Sequence, residues 1–292
     1  MNRRIAVCAT IVSLLVASVG FVCPAHAAPA NSAGTRQYQV YSPKGLRAGS
    51  PMIVWLHGAS KVKGGDRQEL SPSSTLLSEA NRRGYSVVAP MQSLKVDPTG
   101  TWQLFNPANV VRGQGETSII ADIIKRSTRD LRADPKRVYL TGHSAGGGIV
   151  SDVSALYPEL FAAISVSAGF PYLADPTGTA LRAARRGRPV PTYVIHGDAD
   201  SVAPFLLGQS SASAARIANG LPITAPARTT IVPASATDRY RTVVRSYGSG
   251  QREVRFAEVN GADHPSGPGG LTVNGPNLDR QVIDFLLSKR RG

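Results

Sequence analysis

Val138-Tyr139-Leu140-Thr141-Gly142-His143-Ser144-Ala145-Gly146 is the stretch whose reading decides the fold. Its second half fits G-x-S-x-G. The run 138–141 reads as a strand, and the residues from Ala145 onward, with Gly147 and Gly148, are compatible with a helix. A serine between strand and helix sits on a turn too tight for side chains at its flanks, which accounts for the two framing glycines. The turn lifts the hydroxyl out at the sheet's C-terminal edge. The helix N-terminus behind it offers backbone N–H groups and a positive dipole end to a developing oxyanion. Ser144 is therefore the candidate nucleophile, and the Ala145 N–H a candidate oxyanion donor. The bland reading is a glycine-rich turn without chemistry, and the flanking strand and helix argue against it.

Outward from this turn, strands and helices alternate. Apolar or β-branched runs at 38–41, 52–56, 85–89, 137–141, 163–167, 192–196 and 254–259 predict strands. Short, nearly continuous apolar runs suit strands buried on both faces. Helices are expected at 73–83, 115–131, 145–157 and 277–288, the last with Asn277 as a possible cap. Such alternation predicts an α/β fold, a mostly parallel sheet with helices on both faces, in one domain. The stretch 221–249 reads only as a long loop or a small lid.

A serine hydroxyl needs a base. Outside the first 27 residues the histidines are His57, His143, His196 and His264. His143 adjoins the serine and should point away from it. In this fold class the order is Ser, acid, His. Only His264, just past the last predicted strand, follows every candidate acid. The acid belongs after a strand, in His196-Gly197-Asp198-Ala199-Asp200-Ser201. Asp198 and Asp200 compete there, with Asp175 an outsider. The second oxyanion donor should come from a loop after an early strand. Trp55-Leu56-His57-Gly58-Ala59 fits, with Ala59 supplying its N–H. His57 is expected to face the substrate. The dispersed histidines do not make a zinc site, so no metal or cofactor is expected.

Composition narrows the class. With 42% hydrophobic and 18% charged residues, the chain is neither a coiled coil nor disordered. Arg3 and Arg4, an apolar stretch over 5–22 and Ala25-His26-Ala27 read as a signal peptide over residues 1–27. The expectation is a secreted catalytic domain over 28–292, with no stable membrane insertion. Both cysteines, Cys8 and Cys23, fall within the leader, so the mature chain would have no disulfide. The net charge of +14 is scattered. Its densest runs, 182–188 and 289–291, lack interleaved aromatics, and a solvated basic surface rather than a nucleic-acid partner is expected.

With these residues in place, the chain resembles the polyhydroxybutyrate depolymerase-like esterases, a group that includes feruloyl and acetylxylan esterases of the α/β-hydrolase fold. The likeness runs from about Tyr38 to the C-terminus. It is carried by Trp55-Leu56-His57-Gly58, Thr101-Trp102-Gln103-Leu104-Phe105, 137–147, Tyr157-Pro158-Glu159-Leu160-Phe161 and His196-Gly197-Asp198-Ala199-Asp200. The resemblance implies the triad Ser144, Asp200 and His264, and places Trp102 beside the acyl pocket. Relatives often carry cysteines, read as a bridged pair, where Ala59 and Thr101 stand, and an aromatic residue after the histidine, where Pro265 and Ser266 follow here.

The expected function is hydrolysis of carboxylic esters through an acyl-enzyme, on a small or polymeric substrate with short-chain, hydroxyalkanoate, feruloyl or acetyl groups. Its rivals are a serine peptidase of the same fold and a secreted binding protein on a hydrolase scaffold. The binding protein would have lost a triad member, and none is missing.

Overall fold

A computed structural model describes residues 22–27, 36–59, 61–62, 65–66, 69–109, 111–172, 188–264 and 271–292. Most of the expected leader (1–21), the residues expected to begin the mature chain (28–35), Asp175, most of the basic run at 182–188, and Pro265 and Ser266 lie outside them.

The strands are β1 (Val22–Ala27), β2 (Gln37–Tyr41), β3 (Met52–Leu56), β4 (Lys61–Val62), β5 (Gly65–Asp66), β6 (Ser86–Met91), β7 (Val138–His143), β8 (Ala163–Ser167), β9 (Thr192–Gly197), β10 (Arg228–Val232), β11 (Thr242–Tyr247) and β12 (Val254–Val259). The helices are α1 (Thr75–Arg83), α2 (Gly115–Asp130), α3 (Ala145–Leu156), α4 (Phe205–Ala218) and α5 (Pro276–Leu287). All but β4 and β5 form one sheet in the order β1-β2-β6-β3-β7-β8-β9-β12-β11-β10. From β6 to β12 the neighbours pair parallel, and antiparallel strands close both edges. This is the mostly parallel sheet that the strand–helix alternation predicts, and the α/β-hydrolase arrangement that the resemblance implies.

Alternation along β3 shows why its run is apolar throughout. Met52, Val54 and Leu56 pack into one core with Ile119, Ile123 of α2 and Ile149, Val153 of α3. Ile53 and Trp55 face the opposite core, with Leu76 of α1 and Val282, Ile283, Leu286 of α5. Successive side chains leave a strand on opposite faces, so a sheet covered on both sides needs apolar residues at every position. The order of the parallel strands brings the ends of β3, β7, β9 and β12 to one edge.

The structure differs from the sequence expectations at 221–249, in the helix after β9 and at the start of the last helix. The stretch 221–249 is not a lid: β10 and β11 pair antiparallel and extend the sheet beyond β12. The second difference is α4, which has no sequence-level counterpart. Its FLLGQSSASAARIA run is mostly small residues, so no apolar stripe marks it. It packs close to β9: a Cβ on Gly208 would lie 2.6 Å from the His196 ring.

Thirdly, Asn277 is not the cap of the last helix. That helix starts at Pro276, and buried Asp238, from the β10–β11 connection, takes its free N–H groups. The Asn277 N–H donates to Oδ1 (2.9 Å) and the Leu278 N–H to Oδ2 (2.8 Å). First-turn N–H groups have no partner within a helix, and here the acceptor comes from about 40 residues away, beyond any local pattern. Replacing Asp238 with Ala strands both donors and should cost about 1–3 kcal/mol. Urea unfolding measures it; a midpoint equal to that of the wild type would contradict this capping role.

Candidate active site

Ser144 joins β7 to α3 at φ 53 and ψ −126. Positive φ is unusual for a residue with a Cβ and costs roughly 1–3 kcal/mol unless the surroundings impose it. Here the surroundings do. A Cβ on Gly146 would lie 2.2 Å from the Leu56 carbonyl oxygen and 2.3 Å from that of His57. One on Gly142 would lie 2.7 Å from the Gly146 backbone. The end of β3 is thus pressed against the first turn of α3, and only glycine fits between. The Ser144 N–H donates to the Ser167 carbonyl at 2.9 Å, fixing the turn to β8.

Three candidate residues meet here. His264 Nε2 lies 2.8 Å from Ser144 Oγ, and His264 Nδ1 lies 2.8 Å from Asp200 Oδ2. The other Asp200 oxygen accepts the N–H groups of Val202 (2.9 Å) and Ala203 (2.7 Å). Four acceptances or near contacts hold this carboxylate, because buried His196 also brings Nε2 to 3.3 Å from Oδ2 while lying 2.8 Å from the Ala203 carbonyl oxygen. Burial pulls the His196 pKa down. Asp198 faces away from His264. It accepts from the Gly261 N–H at 2.5 Å and from Asn260 Nδ2 at 3.0 Å.

Asp263 is a residue that the sequence reading passed over. Its Oδ1 accepts the Ser201 N–H (2.8 Å), the Ser201 hydroxyl (2.8 Å) and the His264 N–H (2.7 Å). The Ser201 and His264 N–H groups lead in lowering its pKa to about 2. Asp198 and Asp263 therefore cross-tie the loops that carry Asp200 and His264, each carboxylate reaching into the other's loop. An aspartate next to the histidine is the only sequence signal of this, and it is a weak one.

Ala59 is exposed, and the loop before it approaches Ser144 closely. A Cβ on Gly58 would be 3.1 Å from Ser144 Cβ. Among the described residues neither the Ala59 nor the Ala145 N–H has an acceptor. His57 and Trp102 do not face a substrate in this structure: they are 0% and 1% exposed. Trp102 Nε1 donates to the His57 carbonyl at 2.7 Å, and the two rings lie 4.8 Å apart. Beneath them runs a buried polar network. Gln92 Nε2 donates to Glu116 Oε1 and to the Thr101 carbonyl, each at 2.8 Å. The Gln103 N–H donates to Glu116 Oε2 at 2.6 Å, and the buried Arg36 guanidinium pairs with the same carboxylate. The loops bearing Ala59 and Thr101 are thus joined by hydrogen bonds at a wall where no cysteine stands. Among the described residues no group of three or more His, Cys, Asp or Glu side chains is placed to hold a metal ion.

Burial lowers the His57 pKa from 6.5 to about 4. Burial, then the charges of His57 and His264, lower that of His143 to about 3. Both rings stay neutral in the fold but charge near 6.5 in the unfolded chain. Their contribution to stability is therefore full above pH 6.5, and is lost as the pH falls through 4 and 3. Followed by NMR on the folded protein, neither ring should titrate between about pH 8 and 5. A midpoint near 6.5 for either would contradict the burial described.

The esterase PHB depolymerase family matches residues 36–206. The chain is 33% identical over 139 residues to poly(3-hydroxyalkanoate) depolymerase C of Paucimonas lemoignei, covering 48% of this chain and 32% of that protein. It is 30% identical over 140 residues to acetylxylan esterase A of Aspergillus ficuum, covering 48% of this chain and 44% of that protein. The chain thus spans less than half the length of these two relatives. Among solved structures, the acetyl xylan esterase from Aspergillus awamori superimposes with a TM-score of 0.66 at 17% identity, over 90% of this chain and 99% of that one, a likeness of fold. Matched over more than half its length, the chain belongs to the esterase PHB depolymerase family.

Proposed function

We propose that the protein hydrolyses carboxylic esters through an acyl-enzyme on Ser144. The observation that carries this reading is the unbroken line of contacts from Ser144 Oγ through the His264 ring to Asp200, at 2.8 Å on either side. With Nδ1–H donated to Asp200, Nε2 of His264 faces Oγ as a base. His264 takes the hydroxyl proton as Oγ attacks the ester carbonyl. Asp200 holds the ring and stabilises it when it is charged. The N–H groups of Ala59 and Ala145 receive the oxyanion, helped by the positive end of α3. The alkoxide leaves with the proton from His264. Water then gives its proton to the same nitrogen and cleaves the acyl-enzyme, releasing acid and free serine.

The acid role of Asp200, rather than Asp198, is part of the proposal. Asn at position 200 keeps the shape but removes the charge that balances protonated His264. Asp200→Asn should lower kcat by about 10³- to 10⁴-fold. Asp198→Asn should mainly lower stability. Folded samples of both, assayed on p-nitrophenyl acetate, decide it; an inactive Asp198→Asn beside an active Asp200→Asn would reverse the assignment.

The substrate is proposed to carry a short or compact acyl group. No apolar lid covers the site among the described residues, since β10 and β11 within 221–249 extend the sheet beyond β12. Beside α3, Phe105, 69% exposed, meets Phe170 edge-on with ring centroids 6.1 Å apart, and Phe170 lies against Gly148 one turn along α3. The leader reading belongs here too. Cleavage after Ala27 would remove β1 and leave β2 as the edge strand. On exported protein, whose first residue should be Ala28, kcat/KM should be higher for a butyrate than for a palmitate p-nitrophenyl ester. The opposite preference, or a chain beginning at Met1, would contradict the respective reading.

A further inference from the structure

His57 is fully buried, yet both its ring nitrogens are engaged. The Gln92 backbone N–H donates to Nε2 at 3.1 Å. A ring nitrogen that accepts carries no hydrogen, so the neutral ring holds its hydrogen on Nδ1. Nδ1–H donates to the Gly58 carbonyl at 2.5 Å. That carbonyl and the Ala59 N–H belong to one peptide unit. The unit is planar and trans, so its C=O and N–H point in opposite directions. A grip on the oxygen therefore fixes where the N–H points.

The neighbours leave the loop little freedom. A Cβ on Gly58 would sit 2.9 Å from His143 Nε2 and 3.1 Å from Ser144 Cβ. The Trp102 indole holds the preceding carbonyl, that of His57. Gln92, which sets the tautomer of His57, is itself held by the carboxylate of Glu116. The line from the buried Arg36–Glu116 pair through Gln92 to the His57 ring ends on the Gly58–Ala59 peptide.

We propose that His57 is a positioning residue, which aims the Ala59 N–H at the oxyanion by holding the carbonyl of the same peptide through Nδ1–H. This rests on the reading of Ala59 as an oxyanion donor. The ring touches neither substrate nor nucleophile; it acts through the peptide it holds. Because burial keeps the ring neutral, the grip persists through the neutral pH range.

Two substitutions separate this role from simple packing. In His57→Asn the side-chain amide N–H stands near the place of Nδ1 and can still donate to the Gly58 carbonyl. In His57→Gln the amide reaches toward the place of Nε2, where its oxygen can accept from Gln92, and the Gly58 carbonyl is left unheld. His57→Gln should lower kcat roughly 10- to 100-fold, short of the loss from deleting a donor outright, with KM changed by no more than about twofold. Its affinity for an alkyl boronic acid, whose tetrahedral serine adduct places an anionic oxygen in the same position, should fall by a similar factor. His57→Asn should recover most of both. Wild-type kcat and boronate affinity in His57→Gln would overturn the proposal, as would equal losses in the two variants. Ser144→Ala, run alongside, separates the failures. If Ser144→Ala stays active, the serine-esterase reading falls. If it is inactive while His57→Gln behaves as wild type, only the role of His57 falls. Should neither variant fold, ¹⁵N NMR of the wild-type ring decides: hydrogen on Nδ1 supports the proposal, and hydrogen on Nε2 overturns it.

Discussion

The backbone at the end of β3 lies so close to the first turn of α3 that a single methylene between them would sit about 2.2 Å from a carbonyl oxygen. That contact holds Ser144 at positive φ and so points its hydroxyl away from the core. It also sets the loop after β3 directly beside Ser144, where Gly58 allows the closest approach. The cost of one strained residue is small against the packing of two helical layers on the sheet. The geometry is stable because β3 and α3 are each buried on their other faces by apolar side chains, among them Leu56, Ile149 and Val150.

The remaining partners arrive on loops, and loops need other means of control. No cysteine lies among residues 28–292, so polar groups must supply it. Asp198 and Asp263 reach across between the two loops after β9 and β12, and Asp200 is seated by two N–H groups of its own turn. On the opposite side Glu116 gathers Arg36, Gln92 and Gln103 beneath the His57 ring. A buried carboxylate with so many donors is costly to leave half-satisfied, which favours a single arrangement of the loops around it.

Much of this was legible in the sequence, for physical reasons. The elbow could be read because its glycines are demanded by a backbone contact within a few residues of the serine. The seven predicted strands could be read because burial on both faces forces unbroken apolar runs, as in Met52–Leu56. Chain order singled out His264, whose Nε2 lies 2.8 Å from Ser144 Oγ. What escaped was non-local or weakly patterned. Asp238 caps a helix about 40 residues away, and half of α4 is alanine and serine. Thr242, Val243 and Val244 of β11 are buried in an antiparallel extension of the sheet that reads as a loop. His57 and Trp102 were expected to face the substrate but are buried, because one sequence does not reveal which side of a loop a ring occupies.

Everything proposed about chemistry turns on one oxygen, Ser144 Oγ. Incubating the folded protein with an alkyl fluorophosphonate, followed by intact-mass analysis and peptide mapping, tests it most directly. The activated serine should take up one adduct per chain, located on Ser144 within the peptide that spans β7 and α3. A chain that stays unmodified, or carries its adduct on another residue, would contradict the account.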